Sequence, residues 1–167
     1  MDELPTHAAW RRWLEDHASK LLLFARQQAR FEADAEDLVQ EAVMECLRRQ
    51  GENKPPPLPL VFATIRRRSI DLARSQDRRA GRESAVRQAQ PETWFDSSME
   101  DREQGQLIQT AMGQLPEIYR QVITLKVWGG LTFAEIAASL DIPANTAASR
   151  YRYGIAELRK LTREVLA

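Results

Sequence analysis

The chain has 167 residues, of which 43% are hydrophobic and 29% are charged, and its 24 basic side chains are balanced by 24 acidic ones. These proportions exclude wholesale disorder and allow one domain or two small ones, and no apolar run approaches the roughly 20 residues of a membrane span. A single cysteine and two histidines exclude an internal disulfide, a zinc site of several cysteines and a histidine-rich metal centre. We therefore expect a cytoplasmic protein that holds no metal and no cofactor.

Helical periodicity dominates the first half of the chain, and the alternation typical of strands is almost absent. A first helix carries two tryptophans, a second is predicted from about 35 to 49, and a third from about 60 to 74. Gly51 ends the second helix, and the proline-rich run at 55–59 prevents another from starting at once. We assign residues 1–75 to one small helical domain.

Charged residues on these helices are grouped by sign. Six acids and no base lie between Glu32 and Glu45, whereas seven arginines and two acids lie between Arg66 and Arg82. Blocks of opposite sign favour two kinds of partner, a basic one and a polyanion, although solvated helix faces would also explain them. The residues of the acidic block that share one helix face are Asp37, Gln40, Glu41 and Glu45.

Residues 76–98 differ in composition from the helices on either side. They are rich in Ser, Gln and Arg and contain few aliphatic residues, which predicts a flexible linker. The pair Trp94–Phe95 interrupts this segment and either docks the linker or contacts a partner. Ser97 and Ser98, each followed three residues later by an acid, are typical of a helix N-cap, so a second helical domain is predicted over residues 99–167.

The stretch at 131–153 has the pattern of a helix-turn-helix. Thr132 and Glu135 predict a capping box at the start of a short helix. Asp141 tolerates the left-handed conformation of a tight turn, and Pro143 suits the entry to the following helix.

That following helix, at about 144–161, begins with small and polar side chains. A helix whose N-terminal part enters a major groove needs small residues for close approach, and hydroxyl and guanidinium groups for phosphates and base edges. An ordinary helical hairpin with a polar face is the alternative. The candidate DNA-binding residues of this helix are Asn145, Thr146, Ser149, Arg150, Arg152 and Tyr153.

Five segments carry a resemblance to a known family. Residues 115–125, 130–137 and 145–150 resemble the C-terminal DNA-binding domain of bacterial RNA polymerase sigma factors. Residues 34–41 are similar to the core-polymerase-binding helix of such factors, and residues 65–74 resemble the next helix, which faces the promoter element nearest the start site. Two domains joined by a linker match the extracytoplasmic-function (ECF) class.

The resemblance implies roles for both charge blocks. In the family the acidic helix docks on core RNA polymerase, and Glu45 joins this surface because it shares the acidic face. The implied polymerase-binding residues are Asp34, Asp37, Gln40, Glu41 and Glu45. The residues implied to meet double-stranded and melted promoter DNA are Arg66, Arg67, Arg68 and Arg74. A di-metal carboxylate site would compete for the acids, but such sites need Glu-x-x-His pairs, and no histidine lies beyond His17.

The chain departs from the family pattern in both DNA-facing helices. Leu60 and Pro57 stand where the family usually has a tryptophan and a phenylalanine, and Arg67 replaces an asparagine. In the second domain, Ala148 and Tyr153 replace residues that are often basic. The preferred promoter sequence therefore does not follow from the resemblance.

We predict an all-α protein with two small helical domains and a flexible linker, acting as a sigma factor. It would bind core RNA polymerase and promoter DNA, with an anti-sigma factor as a possible further partner, and would neither insert into a membrane nor act as an enzyme. The alternatives are a stand-alone helix-turn-helix regulator and a protein-interaction module without DNA binding. The acidic block argues against the first alternative, and the arginine block argues against the second.

Overall fold

The computed structural model describes residues 3–51, 54–80, 94–95 and 102–166, apart from the side chains of residues 3–6, 80, 102, 165 and 166. All regular structure in these ranges is helical, which confirms the all-α prediction. The chain divides into two compact units, Met1–Glu92 and Thr93–Ala167. The helices are α1 (Glu3–Gln28), α2 (Glu32–Gln50), α3 (Leu58–Ala80), α4 (Arg102–Gln114), α5 (Glu117–Val127), α6 (Phe133–Leu140) and α7 (Ala144–Leu166).

Helices α1, α2 and α3 pack against one another to form the first unit. Phe24 from α1 meets Phe62 from α3 edge-on, with the ring centroids 5.3 Å apart. Both rings are fully buried, and burial of each contributes roughly 1.5–3 kcal/mol. The buried stripe of α2 consists of small and medium side chains at helical spacing, which allows its neighbours a close approach: Ala35, Leu38, Ala42 and Cys46.

Helix α3 continues to Ala80, past its predicted end. Two contacts hold these additional turns to the rest of the first unit, near the start of α2. Gln76 donates a hydrogen bond to Asp34 at 2.8 Å, and Arg30 pairs with Asp77 at 2.8 Å. The predicted linker therefore begins with helix. The composition changes before the helix ends, because the last turns of α3 are held by polar contacts and not by an apolar stripe.

Helices α4 to α7 form the second unit, in which α7 contacts each of the other three. Its core cluster contains Ala111, Met112, Leu115, Ile123 and Leu161. Close packing between α7 and α5 depends on Gly154, because a Cβ at this position would lie 3.0 Å from Ile123 Cδ1 and 3.0 Å from Tyr119 Cβ. A side chain here would crowd Ile123 and Tyr119, and these neighbours would have to shift to accommodate it.

No helix in the described ranges has both the length and the hydrophobicity that a membrane crossing requires.

Replacing Gly154 with valine tests this close approach. We expect Gly154→Val to destabilise the second unit by about 1–3 kcal/mol, because the added side chain would overlap Ile123 and Tyr119. Thermal unfolding followed by circular dichroism measures the loss. Gly105→Val in α4 is the control, since no atom of the residues that the structure describes lies within 4 Å of the Cβ that it would add. Equal losses in the two variants would contradict the constraint.

Candidate protein-binding and nucleic-acid-binding surfaces

The acidic face of α2 is open to solvent over its middle turns. Asp37, Gln40 and Glu41 are exposed. Asp34 is partly buried, because it accepts the hydrogen bond from Gln76 that holds the end of α3. A basic partner could therefore approach the middle of this face without rearrangement of the helix.

The exposed acids border a groove of about 330 Å³ between α2 and α3. Leu38 and Leu72 contribute apolar surface, and Arg68 lies among the acids. Asp71 was missed by the sequence reasoning, which counted it within the arginine block. Its spacing of three residues from Arg68 places the two on one side of α3, and this was the available signal. The carboxylates that line the groove are Asp34, Asp37, Glu41 and Asp71.

No group of three or more His, Cys, Asp or Glu side chains in the described parts of the chain is arranged to hold a metal ion. The groove is suited instead to a long basic side chain, whose aliphatic stem would cover the leucines while its charged end meets the carboxylates.

The structure brings the two charge blocks together. Glu45 forms an ion pair with Arg67, approaches Arg68 at 3.6 Å and lies 3.9 Å from Arg49. Arg68 also donates to Glu41 at 3.0 Å. We call these five residues the α2–α3 ion-pair cluster. Two of the four first-domain arginines that the resemblance assigned to DNA thus already contact carboxylates.

The candidate residues of the two charge blocks differ in how exposed their side chains are. The side chain of Glu45 is only 19% exposed, so it is less accessible to a partner than Asp37 or Glu41. Arg66 is partly buried, whereas Arg74 is exposed. The far end of the arginine block, including Arg82, lies outside the described residues.

The second unit contains the predicted helix-turn-helix. Thr132 Oγ1 accepts a hydrogen bond from the backbone N–H of Glu135 at 3.1 Å, and the Glu135 carboxylate accepts one from the Thr132 N–H at 3.0 Å. This capping box starts α6, as predicted. Asp141 adopts the left-handed conformation, with φ 56° and ψ 52°, and Pro143 directly precedes α7. The turn geometry of this motif is therefore confirmed.

The candidate recognition residues occupy the first turns of α7. Asn145, Arg152 and Tyr153 are exposed, and the Arg152 guanidinium lies 5.1 Å from the Tyr153 ring centroid. Thr146, Ser149 and Arg150 are partly buried at the side of the same surface. Buried Ala147 faces the core, so the polar residues are directed away from it. Their arrangement suits a surface that approaches a nucleic acid.

Contacts between α5, α6 and α7 hold this surface in place. The Phe133 and Tyr151 ring centroids lie 5.6 Å apart, which joins the start of α6 to α7. The Lys126 ammonium lies 4.5 Å above the Phe133 ring centroid and donates to the Leu131 carbonyl at 3.2 Å. These contacts brace the turn before α6.

Comparison with known proteins accounts for both units. Residues 13–79 match sigma-70 region 2, and residues 105–158 match sigma-70 region 4. The chain belongs to the sigma-70 family. It is a sigma factor of the ECF type, a promoter-recognition subunit of RNA polymerase.

This sigma factor resembles curated relatives of the same type. The ECF RNA polymerase sigma factor SigL of Mycobacterium tuberculosis is 29% identical over 161 residues, which cover 95% of this chain and 91% of the relative. The ECF RNA polymerase sigma factor SigK of Mycobacterium ulcerans is 29% identical over 132 residues, which cover 75% of this chain and 70% of the relative.

Solved structures share its fold. The sigma factor RpoE from Bartonella quintana, in complex with the anti-sigma factor NepR, aligns with a TM-score of 0.71 and 19% identity, covering 92% of this chain and 96% of that one. CnrH, in complex with the cytosolic domain of CnrY, aligns with a TM-score of 0.60 and 19% identity, covering 95% and 90%.

Between its region 2 and region 4 matches, this sigma factor has an aromatic pair docked on the second unit. The backbone N–H of Trp94 donates to Gln109 Oε1 at 2.9 Å, and the Arg120 guanidinium lies 5.7 Å from the Trp94 ring centroid. Phe95 lies 5.4 Å from Trp128, centroid to centroid. Burial lowers the pKa of Arg120. Of the two interpretations of the pair, the structure thus shows docking. The predicted cap at Ser97 or Ser98 lies outside the described residues.

Proposed function

We propose that the two units divide promoter recognition between them. The first unit would bind core RNA polymerase through the groove face of α2 and meet the promoter element nearest the start site through α3. The second unit would place the start of α7 in a major groove upstream. One observation carries this proposal: the same chain has an open acidic groove and a helix-turn-helix. A regulator that acts without polymerase needs only the second.

The polymerase surface would centre on Asp37, Gln40 and Glu41, because these are its most exposed candidates. Asp34 and Asp71 would complete the groove from either side. Several carboxylates around an apolar floor favour an arginine-rich or lysine-rich surface, since opposite charges steer the encounter and like charges reject wrong partners. Glu45 would contribute through the ion-pair cluster.

The DNA surface would use arginine in both units. Arg66, Arg67, Arg68 and Arg74 would neutralise phosphates near the melted region, which gives affinity but little sequence information. Arg150 would do the same on α7, while exposed Asn145 and Arg152 are able to reach base edges. The chain would perform no covalent chemistry itself, and would act in the cytoplasm with the polymerase.

An anti-sigma factor is a proposed further partner. One solved structure of the same fold is a complex of this kind, in which RpoE is bound to the anti-sigma factor NepR, and in another CnrH is bound to the cytosolic domain of CnrY. The groove and the α7 surface are the charged faces that such a protein would have to cover to prevent transcription.

Run-off transcription with purified core RNA polymerase on fragmented genomic DNA tests the function. We expect transcripts whose start sites depend on the added chain and share upstream sequence elements. DNA binding without any dependent transcript would favour the stand-alone regulator. Binding of the chain to other proteins, without DNA binding and without any dependent transcript, would favour the interaction module.

Charge reversal in the groove tests the polymerase surface. Asp37→Arg combined with Glu41→Arg should weaken co-purification with core polymerase by about 100-fold or more, because two repulsive charges replace two attractive ones. Circular dichroism should show an unchanged helical content.

The control is Glu15→Arg combined with Glu36→Arg, which makes the same change of net charge at two exposed acids outside the groove. Undiminished binding by the groove variant, or equal loss in the control, would refute the assignment.

Truncation of Arg150 tests the DNA surface of α7. Arg150→Ala in the reconstituted holoenzyme should weaken binding to all promoters by a similar factor, because a phosphate contact carries little sequence information. In a plot of log affinity against log salt concentration, the slope should become shallower by roughly 0.9, which is the change expected when one phosphate contact is lost. A loss limited to one promoter variant would instead assign base readout to Arg150.

A further inference from the structure

The α2–α3 ion-pair cluster places carboxylates where DNA phosphates would bind. Glu45 is mostly buried between the two helices and contacts Arg49, Arg67 and Arg68. Glu41 reaches Arg68 from the other side at 3.0 Å. Two of the DNA-facing guanidinium groups therefore already have anionic partners within the chain.

A carboxylate and a phosphate compete for the same guanidinium groups. Each offers two oxygen atoms that can accept a pair of hydrogen bonds from one planar guanidinium group, so arginine binds either. Each carboxylate in the cluster also cancels one positive charge that would otherwise displace counterions from DNA. The intramolecular pairs must therefore weaken the attraction of α3 for DNA.

The two carboxylates of the cluster differ in accessibility. The side chain of Glu41 is 57% exposed and lines the groove, whereas the side chain of Glu45 is only 19% exposed. An approaching basic protein can reach Glu41 and compete with Arg68 for it. Glu45 stays with the arginines. One carboxylate is thus shared between the groove and the arginines of α3.

We propose that the α2–α3 ion-pair cluster holds Arg67 and Arg68 away from DNA in the unbound protein, and that a basic surface of core polymerase frees Arg68 from the nearer of its two carboxylates by taking over Glu41. This inference rests on the proposed polymerase and DNA surfaces. Polymerase binding and DNA binding then strengthen each other, and linkage requires the same coupling in both directions.

The test measures DNA affinity of the full unbound chain. A fluorescent DNA duplex is titrated with wild type, Glu45→Gln and Glu36→Gln, and anisotropy is recorded over a range of salt concentrations. Glu45→Gln should raise DNA affinity by roughly 3- to 10-fold at low salt. It should also make the slope of log affinity against log salt concentration steeper by roughly the amount that one phosphate contact contributes.

Glu36→Gln is the matched control. It removes the same charge from the same helix, but Glu36 is exposed and makes no ion pair with any residue that the structure describes. It lies nine positions from Glu45, on the opposite side of α2. Equal gains in the two variants would reduce the effect to net charge and overturn the proposal.

Two further variants separate release of arginine from a change in folding. Glu41→Gln alters an exposed side chain, so it should leave the fold intact and still raise DNA affinity through Arg68. In a double-variant cycle, adding Arg67→Ala to Glu45→Gln should remove most of the gain, because the released donor is then absent. A gain that survives this second change would also overturn the proposal.

The last measurement repeats the DNA titrations in the presence of core polymerase. With core at saturating concentration, DNA affinity should increase more for wild type than for Glu41→Gln, in which Arg68 no longer has the Glu41 carboxylate that core would take over. If core binds and supports run-off transcription but this difference is absent, the coupling fails while the proposed function stands. If core does not bind wild type at all, the proposed function fails, and the measurements on the unbound chain still decide whether the cluster competes with DNA.

Discussion

The pairing of Glu45 with Arg67 and Arg68 joins the acidic face of α2 to the arginines of α3 in the first unit. It is not what holds the unit together, since partly exposed ion pairs contribute only about 0–1 kcal/mol each. Apolar burial along α2 and around Phe24 and Phe62 sets the position of the helices. Once the helices are packed, their charged faces must meet, and the acids and arginines partly neutralise each other.

This local neutralisation gives the zero net charge of the chain a physical meaning. A nucleic-acid-binding protein is ordinarily basic, and a balanced composition argues at first against DNA binding. Here part of the balance comes from the acidic face of α2, which packs beside the arginines of α3. If these are the proposed polymerase and DNA surfaces, their mutual neutralisation would suit a subunit that reaches promoters together with polymerase.

The second unit solves a different problem, which is to hold one helix end in a fixed orientation. The Thr132–Glu135 capping box starts α6, and the left-handed Asp141 turns the chain into α7. Gly154 lets α7 pack closely on α5, and the docked Trp94–Phe95 pair attaches the preceding segment to the same unit. These contacts leave the polar residues at the start of α7 on the surface of the unit.

Local patterns in the sequence were enough to predict the helical class, the separation of α2 from α3, the capping box and the turn at Asp141. Each of these depends on residues a few positions apart, where backbone geometry relates sequence to structure directly. The family followed instead from the resemblance of five segments spread over residues 34–150. Only the tertiary structure decided that Glu45 meets Arg67, 22 positions away, that Trp94 meets Gln109, 15 positions away, and that Asp71 joins the acidic groove. The end of α3 also escaped prediction, because Gln76 and Asp77 are held by polar partners near the start of α2. Such contacts depend on how packed helices face each other, and helical periodicity shows which face is apolar without showing which charged side chains it will bring together.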